Sequence, residues 1–232
     1  MPSLSFQERR GELRTYFDRT AVEAWSRLTS DAPVSRIRAT VRAGRERMRA
    51  TLLDWLPADL QGKRLLDAGC GTGALAVEAA RRGADVVAID VAPTLIELAR
   101  ERTPAELGSG SVLFLVGDMS EDLGAFDHVI AMDSLIHYRS RDVVALLAGV
   151  AARTSGSMLF TYAPRTPALA LMHAVGRAFP RGDRAPAIEP VASRALERLI
   201  QSEPRLSGWR IGRTERIACG FYTSQALELR RP

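Results

Sequence analysis

The chain has 232 residues, 46% hydrophobic and 25% charged, which suits one α/β domain with a full core and excludes a largely disordered chain. No stretch free of charged residues exceeds eleven positions, whereas a membrane-spanning helix needs about 20 apolar residues; the segment Gln7-Glu8-Arg9-Arg10 has no signal-peptide character, and two cysteines cannot build a disulfide framework, so a reducing, cytoplasmic setting is expected. The net charge of +5 rests on 31 arginines and the single lysine Lys63, a bias that follows from genome composition or from an anionic partner held by the planar guanidinium fork.

Residues 4–56 read as helical. Leu13, Phe17, Ala21, Ala24 and Leu28 recur at helical spacing, and Ile37, Val41, Met48, Leu52 and Trp55 repeat the pattern after a break at Asp31-Ala32-Pro33. Strand and helix then alternate. Leu65 to Ala68 is a short apolar strand, Gly73 to Arg82 a helix stopped by Gly83, and Val86 to Ile89 a strand ending at Asp90. Pro93 to Arg102 is a helix with proline in its first turn. Strands are expected at Val112–Val116, Asp127–Met132 and Ser157–Tyr162, with a helix at Arg141–Arg153. Such alternation predicts a parallel sheet covered on both faces.

Prolines 164, 167, 180, 186 and 190 then interrupt the rhythm and bracket a helix over Leu169–Phe179. A helix at Ala192–Gln201 follows, then strands at Trp209–Ile217 and Phe221–Leu229 joined at Cys219-Gly220, a connection short enough to require antiparallel pairing. The expected divisions are an N-terminal helical arm (1–57), a cofactor core (58–162), a lid insertion (163–190) and a returning helix with two strands (191–232).

The chemistry centres on Asp67-Ala68-Gly69-Cys70-Gly71-Thr72-Gly73, a glycine turn between the first strand and its helix. Glycines there let the chain turn sharply and let a ligand approach the backbone. An acid precedes the turn, and the spacing is GxGxG followed by Ala74; the dinucleotide fingerprint GxGxxG/A uses its last position for helix packing and its helix N-terminus for a pyrophosphate. S-adenosylmethionine carries no phosphate, and its cationic amine and sulfonium favour an acid such as Asp67. Asp90, followed by Val91, ends the second strand about 20 residues on, where an acid binds ribose hydroxyls. Asp118 ends the third and can accept the adenine amino group, with Met119 covering the ring. Gly69, Cys70, Gly71 and Gly73 complete the expected cofactor set, with Cys70 read as a small filler. An NAD(P)-dependent oxidoreductase fits Asp90 but explains neither Asp67 nor Asp118, and one lysine leaves little for its catalytic pair.

Three acids on consecutive strand ends, with a seven-stranded pattern ending in a hairpin, resemble the class I S-adenosylmethionine-dependent methyltransferases, a Rossmann-like α/β fold. Three further stretches narrow the likeness: Tyr16-Phe17-Asp18-Arg19-Thr20-Ala21 with Trp25 and residues 35–45, Met132-Asp133-Ser134-Leu135-Ile136-His137-Tyr138, and Phe179-Pro180-Arg181-Gly182-Asp183-Arg184-Ala185-Pro186. They resemble the magnesium-protoporphyrin IX O-methyltransferases of bacteriochlorophyll synthesis. The resemblance implies transfer of a methyl group from S-adenosylmethionine to a propionate of magnesium-protoporphyrin IX. It implicates Tyr16 and His137 at the active site, where hydrogen bonding or orienting the propionate is the expected role.

Arg36, Arg38, Arg42, Arg45, Arg47 and Arg49 face only Glu46 as a neighbouring acid. They form either a solvated helix face or a clamp for the second propionate, for which Arg38 and Arg42 are the candidates. Arg181 and Arg184 carry the same two readings. His173 is either an axial ligand to the porphyrin magnesium or an ordinary helix-surface histidine, the commoner case. Asp133 is placed to orient the loop that carries His137, and His128 reads as structural. No cluster has metal-ligand spacing, so the chain is expected to hold no metal of its own. Other acceptors, a hydrophobic acid or a quinone-like phenol, stay open, as does a non-catalytic porphyrin carrier. Contact with the porphyrin-binding subunit of magnesium chelatase and peripheral attachment to a photosynthetic membrane belong to the same expectation. Nucleic acid is disfavoured by interspersed acids and by aromatics of 6%.

Overall fold

Apolar residues alternate along the strands between two buried clusters. Leu65, Val86, Ala88, Ile130 and Leu159 belong to one, and their chain neighbours Leu66, Val87, Ile89, Val129 and Phe160 to the other. That period of two demands a sheet covered on both faces. The computed structural model describes residues 4–19, 36–165 and 187–231. Its sheet contains β1 (Arg64–Ala68), β2 (Asp85–Asp90), β3 (Ser111–Val116), β4 (Phe126–Ala131), β5 (Thr154–Tyr162), β6 (Arg210–Cys219) and β7 (Tyr222–Arg230). The strand order is β3-β2-β1-β4-β5-β7-β6. Strands β1 to β5 are parallel, and β7 is antiparallel to both β5 and β6.

The described helices are α1 (Leu4–Arg19), α2 (Arg36–Asp54), α3 (Ala74–Arg81), α4 (Pro93–Arg102), α5 (Ser140–Ala151) and α6 (Ser193–Ser202). α2, α3 and α4 cover one face through Met48, Leu52, Ala76, Ala80 and Ile96, while α5 and α6 cover the other through Val143, Leu147, Leu196 and Ile200. Each fully buried Leu, Ile, Val or Met contributes roughly 1.5–3 kcal/mol relative to exposure, so both faces are strongly driven. Gly44 sets how closely α2 lies on the sheet, because a Cβ there would stand 2.4 Å from a ring carbon of Tyr222.

The order reverses at β1, which has β2 on one side and β4 on the other. The helices that follow β1 and β4 lie on opposite faces of the sheet, and the crevice at the carboxyl ends of these strands is the place where ligands bind in open α/β sheets. α1 lies over this edge. Phe6 stacks on Tyr138 at 4.9 Å, and Asp18 accepts hydrogen bonds from the hydroxyl of Thr94 (3.0 Å) and its backbone N–H (3.5 Å).

The alternation anticipated from the sequence is present, with two differences. β5 begins at Thr154 rather than Ser157, because its pairing with β4 continues past a register shift to join Phe126 to Thr154. β6 runs on to Cys219, since the hairpin with β7 stays paired up to Cys219 and Tyr222. The break at Asp31-Ala32-Pro33, the helix anticipated over Leu169–Phe179, and His173, Arg181 and Arg184 lie outside the described residues. The two ends of that insertion are stitched side by side: the N–H of Arg165 donates to the carbonyl of Val191, and the N–H of Val191 to that of Ala163, each at 2.8 Å.

Candidate active site

The glycine turn leaves β1 at its carboxyl end and reaches across the crevice. Gly69 has φ +78, and a Cβ there would stand 2.3 Å from the Cβ of Ser134, the residue that opens the loop after β4. Only a residue without a side chain lets the two loops approach this closely. Ser134 holds the approach by donating its hydroxyl to the carbonyl of Ala68 at 2.8 Å.

Asp90, at the end of β2, organises the turn. Its carboxylate accepts the N–H of Gly71 at 2.9 Å and that of Ala92 at 3.0 Å. Burial pushes its pKa up, and these N–H groups pull it partly back. The Val91 N–H acts on it in the same way, and the carboxylate keeps acceptor capacity for a ligand hydroxyl. Asp118, at the end of the next strand, accepts the N–H of Ser120 at 2.8 Å and faces Arg10 of α1 at 3.9 Å. Glu121 receives the N–H of Asp118 at 2.9 Å, and the Arg153 guanidinium donates to the carbonyls of Met119 and Glu121. The loop carrying Asp118 and Met119 is thereby tied down from behind.

These loops enclose a cavity with about 740 Å³ of empty space, its open mouth included. Gly69, Gly71, Asp90, Val91, Asp118 and Met119 line one part, and His137 with the loop after β4 lines the other. Phe6, Leu13 and Phe17 of α1 form an apolar wall. Of the anticipated residues that the structure describes, Asp67, Cys70, Gly73, Tyr16 and Arg42 do not line it. Asp67 shares the face of Leu65 by strand parity and lies beneath the turn, against the first turn of α3. Burial, the Asp90 charge next, pushes its pKa up to about 7, against an N–H bond from Ala76. One of its oxygens, Oδ2, is buried without a partner. Burial and the same two acids raise the Cys70 thiol, which suits a filler and not a nucleophile.

Tyr16 is half-buried with its ring edge-on to Phe17 at 5.3 Å, and Phe17 is the neighbour that lines the cavity. Arg42 is half-buried on α2, and the side chain of Arg38 lies outside the description. His128 is structural: its Nδ1 lies 2.8 Å from the Ser157 hydroxyl.

A cluster that sequence reasoning did not assemble stands at the end of β4. Asp133 adopts φ +53, unusual for a residue with a side chain. Its carboxylate accepts from Arg45 (2.9 Å), from the Tyr222 hydroxyl (3.1 Å to each oxygen), from Ser224 (3.1 Å) and from Thr161 (3.1 Å). Its N–H donates to the Thr161 hydroxyl at 2.7 Å. Burial, with the Asp133 charge next, keeps the Tyr222 phenol protonated and able to donate. α2, β5 and β7 are thus pinned to one carboxylate at the cavity floor. Arg45 is committed to Asp133, and Arg49 to Glu78 at 2.6 Å, so these two arginines of the α2 set already have carboxylate partners. The Arg45–Asp133 pair spans 88 positions of chain, and no local pattern announces it.

A family model described as magnesium-protoporphyrin IX methyltransferase C-terminus matches residues 131–231, and a methyltransferase domain model matches residues 65–155. The chain is 49% identical over 232 residues to the magnesium-protoporphyrin O-methyltransferase of Rhodobacter capsulatus, covering 99% of this chain and 100% of that protein. It is 29% identical over 219 residues to the magnesium-protoporphyrin O-methyltransferase of Synechocystis, covering 93% and 94%. Its fold matches the crystal structure of magnesium protoporphyrin IX methyltransferase from Synechocystis PCC 6803 with bound SAH, at a TM-score of 0.84 and 26% identity, covering 96% of this chain and 100% of that one.

Proposed function

The chain belongs to the magnesium-protoporphyrin O-methyltransferase family, and on that premise we infer that it methylates a propionate carboxylate of magnesium-protoporphyrin IX with S-adenosylmethionine. The observation that carries this reading is the shared cavity in which the glycine turn, Asp90 and Asp118 meet the loop of His137 under the apolar wall of α1. The residues fit the cofactor. Asp90 keeps acceptor capacity for a ribose hydroxyl, Met119 and Leu95 offer apolar cover, and Asp67, outside the cavity, places an unpartnered carboxylate oxygen beneath the turn, where its charge acts on a bound cation through the turn.

S-adenosylmethionine supplies an electrophilic methyl on a cationic sulfonium. A propionate, with a pKa near that of glutamate at about 4.3, is already an anion at pH 7, so the chain need not supply a general base. What it must do is orient and exclude water. Phe6, Leu13 and Phe17 keep the cavity wall apolar, and Asp133 holds the loop leading to His137. Tyr16 and Arg42 are the donors proposed to hold the substrate carboxylates, with Arg38, Arg181 and Arg184 as further candidates. The proposed divisions are the arm, core, lid and returning strands at residues 1–57, 58–162, 163–190 and 191–232.

The reading extends to hand-over of the porphyrin from the magnesium chelatase and to peripheral membrane attachment. Both are supported by the apolar character of the substrate and of the α1 wall; no described helix is long and apolar enough to cross a membrane. The test is direct. Purified protein, S-adenosylmethionine and magnesium-protoporphyrin IX are expected to give the porphyrin monomethyl ester and S-adenosylhomocysteine by chromatography. Porphyrin binding without ester, or methylation of a phenolic quinone precursor in its place, would refute the assignment.

A further inference from the structure

The cavity is unevenly charged. Asp90 and Asp118 line it at the ends of β2 and β3, and Asp133 lines it at the end of β4. Among the described residues that line it, Arg45 alone carries a permanent positive charge. His137 lines it too, but burial lowers its pKa, against the bond that Nδ1–H donates to the carbonyl of Ala187 at 3.2 Å, so the ring is neutral at pH 7.

Arg45 is placed by its chain neighbour and by its partner. It follows Gly44, whose missing side chain lets α2 lie against the Tyr222 ring, and its Nη1 donates to Oδ2 of Asp133 at 2.9 Å. The Arg45 side chain keeps 20% of its exposure against 4% for Asp133, so the base is the more accessible member of the pair. The hydroxyls of Tyr222, Ser224 and Thr161 donate to the same carboxylate. They already meet most of its acceptor capacity, so what the guanidinium adds is chiefly charge. A planar fork of five N–H donors can serve two carboxylates. Asp133 is followed by Ser134, which touches Gly69 of the glycine turn. The positive charge is thus fixed where the cofactor turn and the loop after β4 meet, and an anionic acceptor is drawn to that end of the cavity and repelled from Asp90 and Asp118.

We propose that Arg45 holds the propionate that is methylated, with Asp133 as the residue that positions Arg45, and that this pair makes the site prefer a carboxylate to its ester. The proposal rests on the acceptor reading above and leaves Arg42 and the other candidate arginines to the second propionate. In the transfer a carboxylate oxygen forms a bond to the methyl carbon while the carbon–sulfur bond breaks and its electron pair stays on sulfur; no proton moves. The held group changes from an anion to a neutral ester, so Arg45 loses its charged partner as the product forms. The contact that places the substrate therefore weakens for the product and favours its release.

Absorption titrations of the full chain with S-adenosylhomocysteine present test it, comparing magnesium-protoporphyrin IX with its monomethyl ester. Wild type is expected to bind the diacid at least about tenfold more tightly. Arg45→Gln, which keeps a donor for Asp133, is expected to lose that preference while keeping wild-type affinity for the monoester and for S-adenosylhomocysteine, which also certifies its fold. Arg45→Lys, which keeps the charge without the fork, is expected to fall between the two. Equal weakening of both porphyrins in the variants, a diacid preference that survives Arg45→Gln, or a lysine variant no better than the glutamine one overturns the proposal. Wild type that binds both porphyrins alike overturns it whatever the variants do. Wild type that binds S-adenosylhomocysteine but neither porphyrin overturns the acceptor reading, and the proposal with it.

Discussion

Replacing Asp67 with asparagine removes a buried charge without changing side-chain shape. In the folded protein without cofactor its pKa rises from 3.8 to about 7. The folded state therefore keeps a proton that the unfolded chain releases between roughly pH 4 and 7, and stability falls as pH rises through that window before levelling off above it. Each unit corresponds to about 1.36 kcal/mol, so the full effect is about 4 kcal/mol, of which about 2–3 kcal/mol falls between pH 5 and 8. The amide of the Asp67→Asn variant does not titrate and has no such dependence. Urea unfolding without cofactor should show the variant more stable than wild type, by a margin that grows by about 2–3 kcal/mol between pH 5 and pH 8. On the proposed reading, in which the ionised carboxylate acts through the turn on the cationic cofactor, the gain should come with a loss: S-adenosylmethionine binding is expected to weaken about tenfold. Calorimetry near pH 6.5 in buffers of different ionisation enthalpy should show proton release on binding to wild type and none to the variant. Parallel stability profiles for the two proteins would refute the placement of a strained, ionisable carboxylate under the turn.

Two other perturbations probe the cavity. Gly69→Ala places a Cβ 2.3 Å from that of Ser134 at φ +78; it is expected to lose about 1–3 kcal/mol of stability and to bind cofactor weakly, whereas Gly11→Ala, with nothing within 4 Å, should do neither. A folded, fully binding Gly69→Ala would show that the two loops need not touch. Asp133→Ala strips the partner from Arg45, Tyr222, Ser224 and Thr161, and should lower stability by about 3–5 kcal/mol in denaturant unfolding; a loss below about 1 kcal/mol would mean that the cluster is incidental.

Much of the frame was legible because its signals are local. The spacing of apolar residues along Leu65–Ala68 and Val86–Ile89, the prolines and glycines that punctuate them, and an acid at each strand end all lie within one element or its next turn. The same holds for Gly69, Gly71, Asp90 and Asp118, whose roles follow from standing where a parallel strand ends. Asp133 and Arg45 were visible as charged residues in suggestive places, but not as a pair. Phe17 drew notice as a helix-face residue, and its place in the cavity wall was not visible.

The sequence by itself determined the alternation of strands and helices, the glycine turn and the acids around it, since each depends on backbone geometry and periodicity over a few residues. Tertiary structure alone decided which groups face one another. It put Asp67 beneath the turn and out of the cavity, tied Arg45 to Asp133, brought α1 over the crevice, and spent the Nδ1 hydrogen of His137 on Ala187, 50 positions away. The physical reason is that burial and partner choice set charge and hydrogen position, and both arise only when distant stretches of chain pack together.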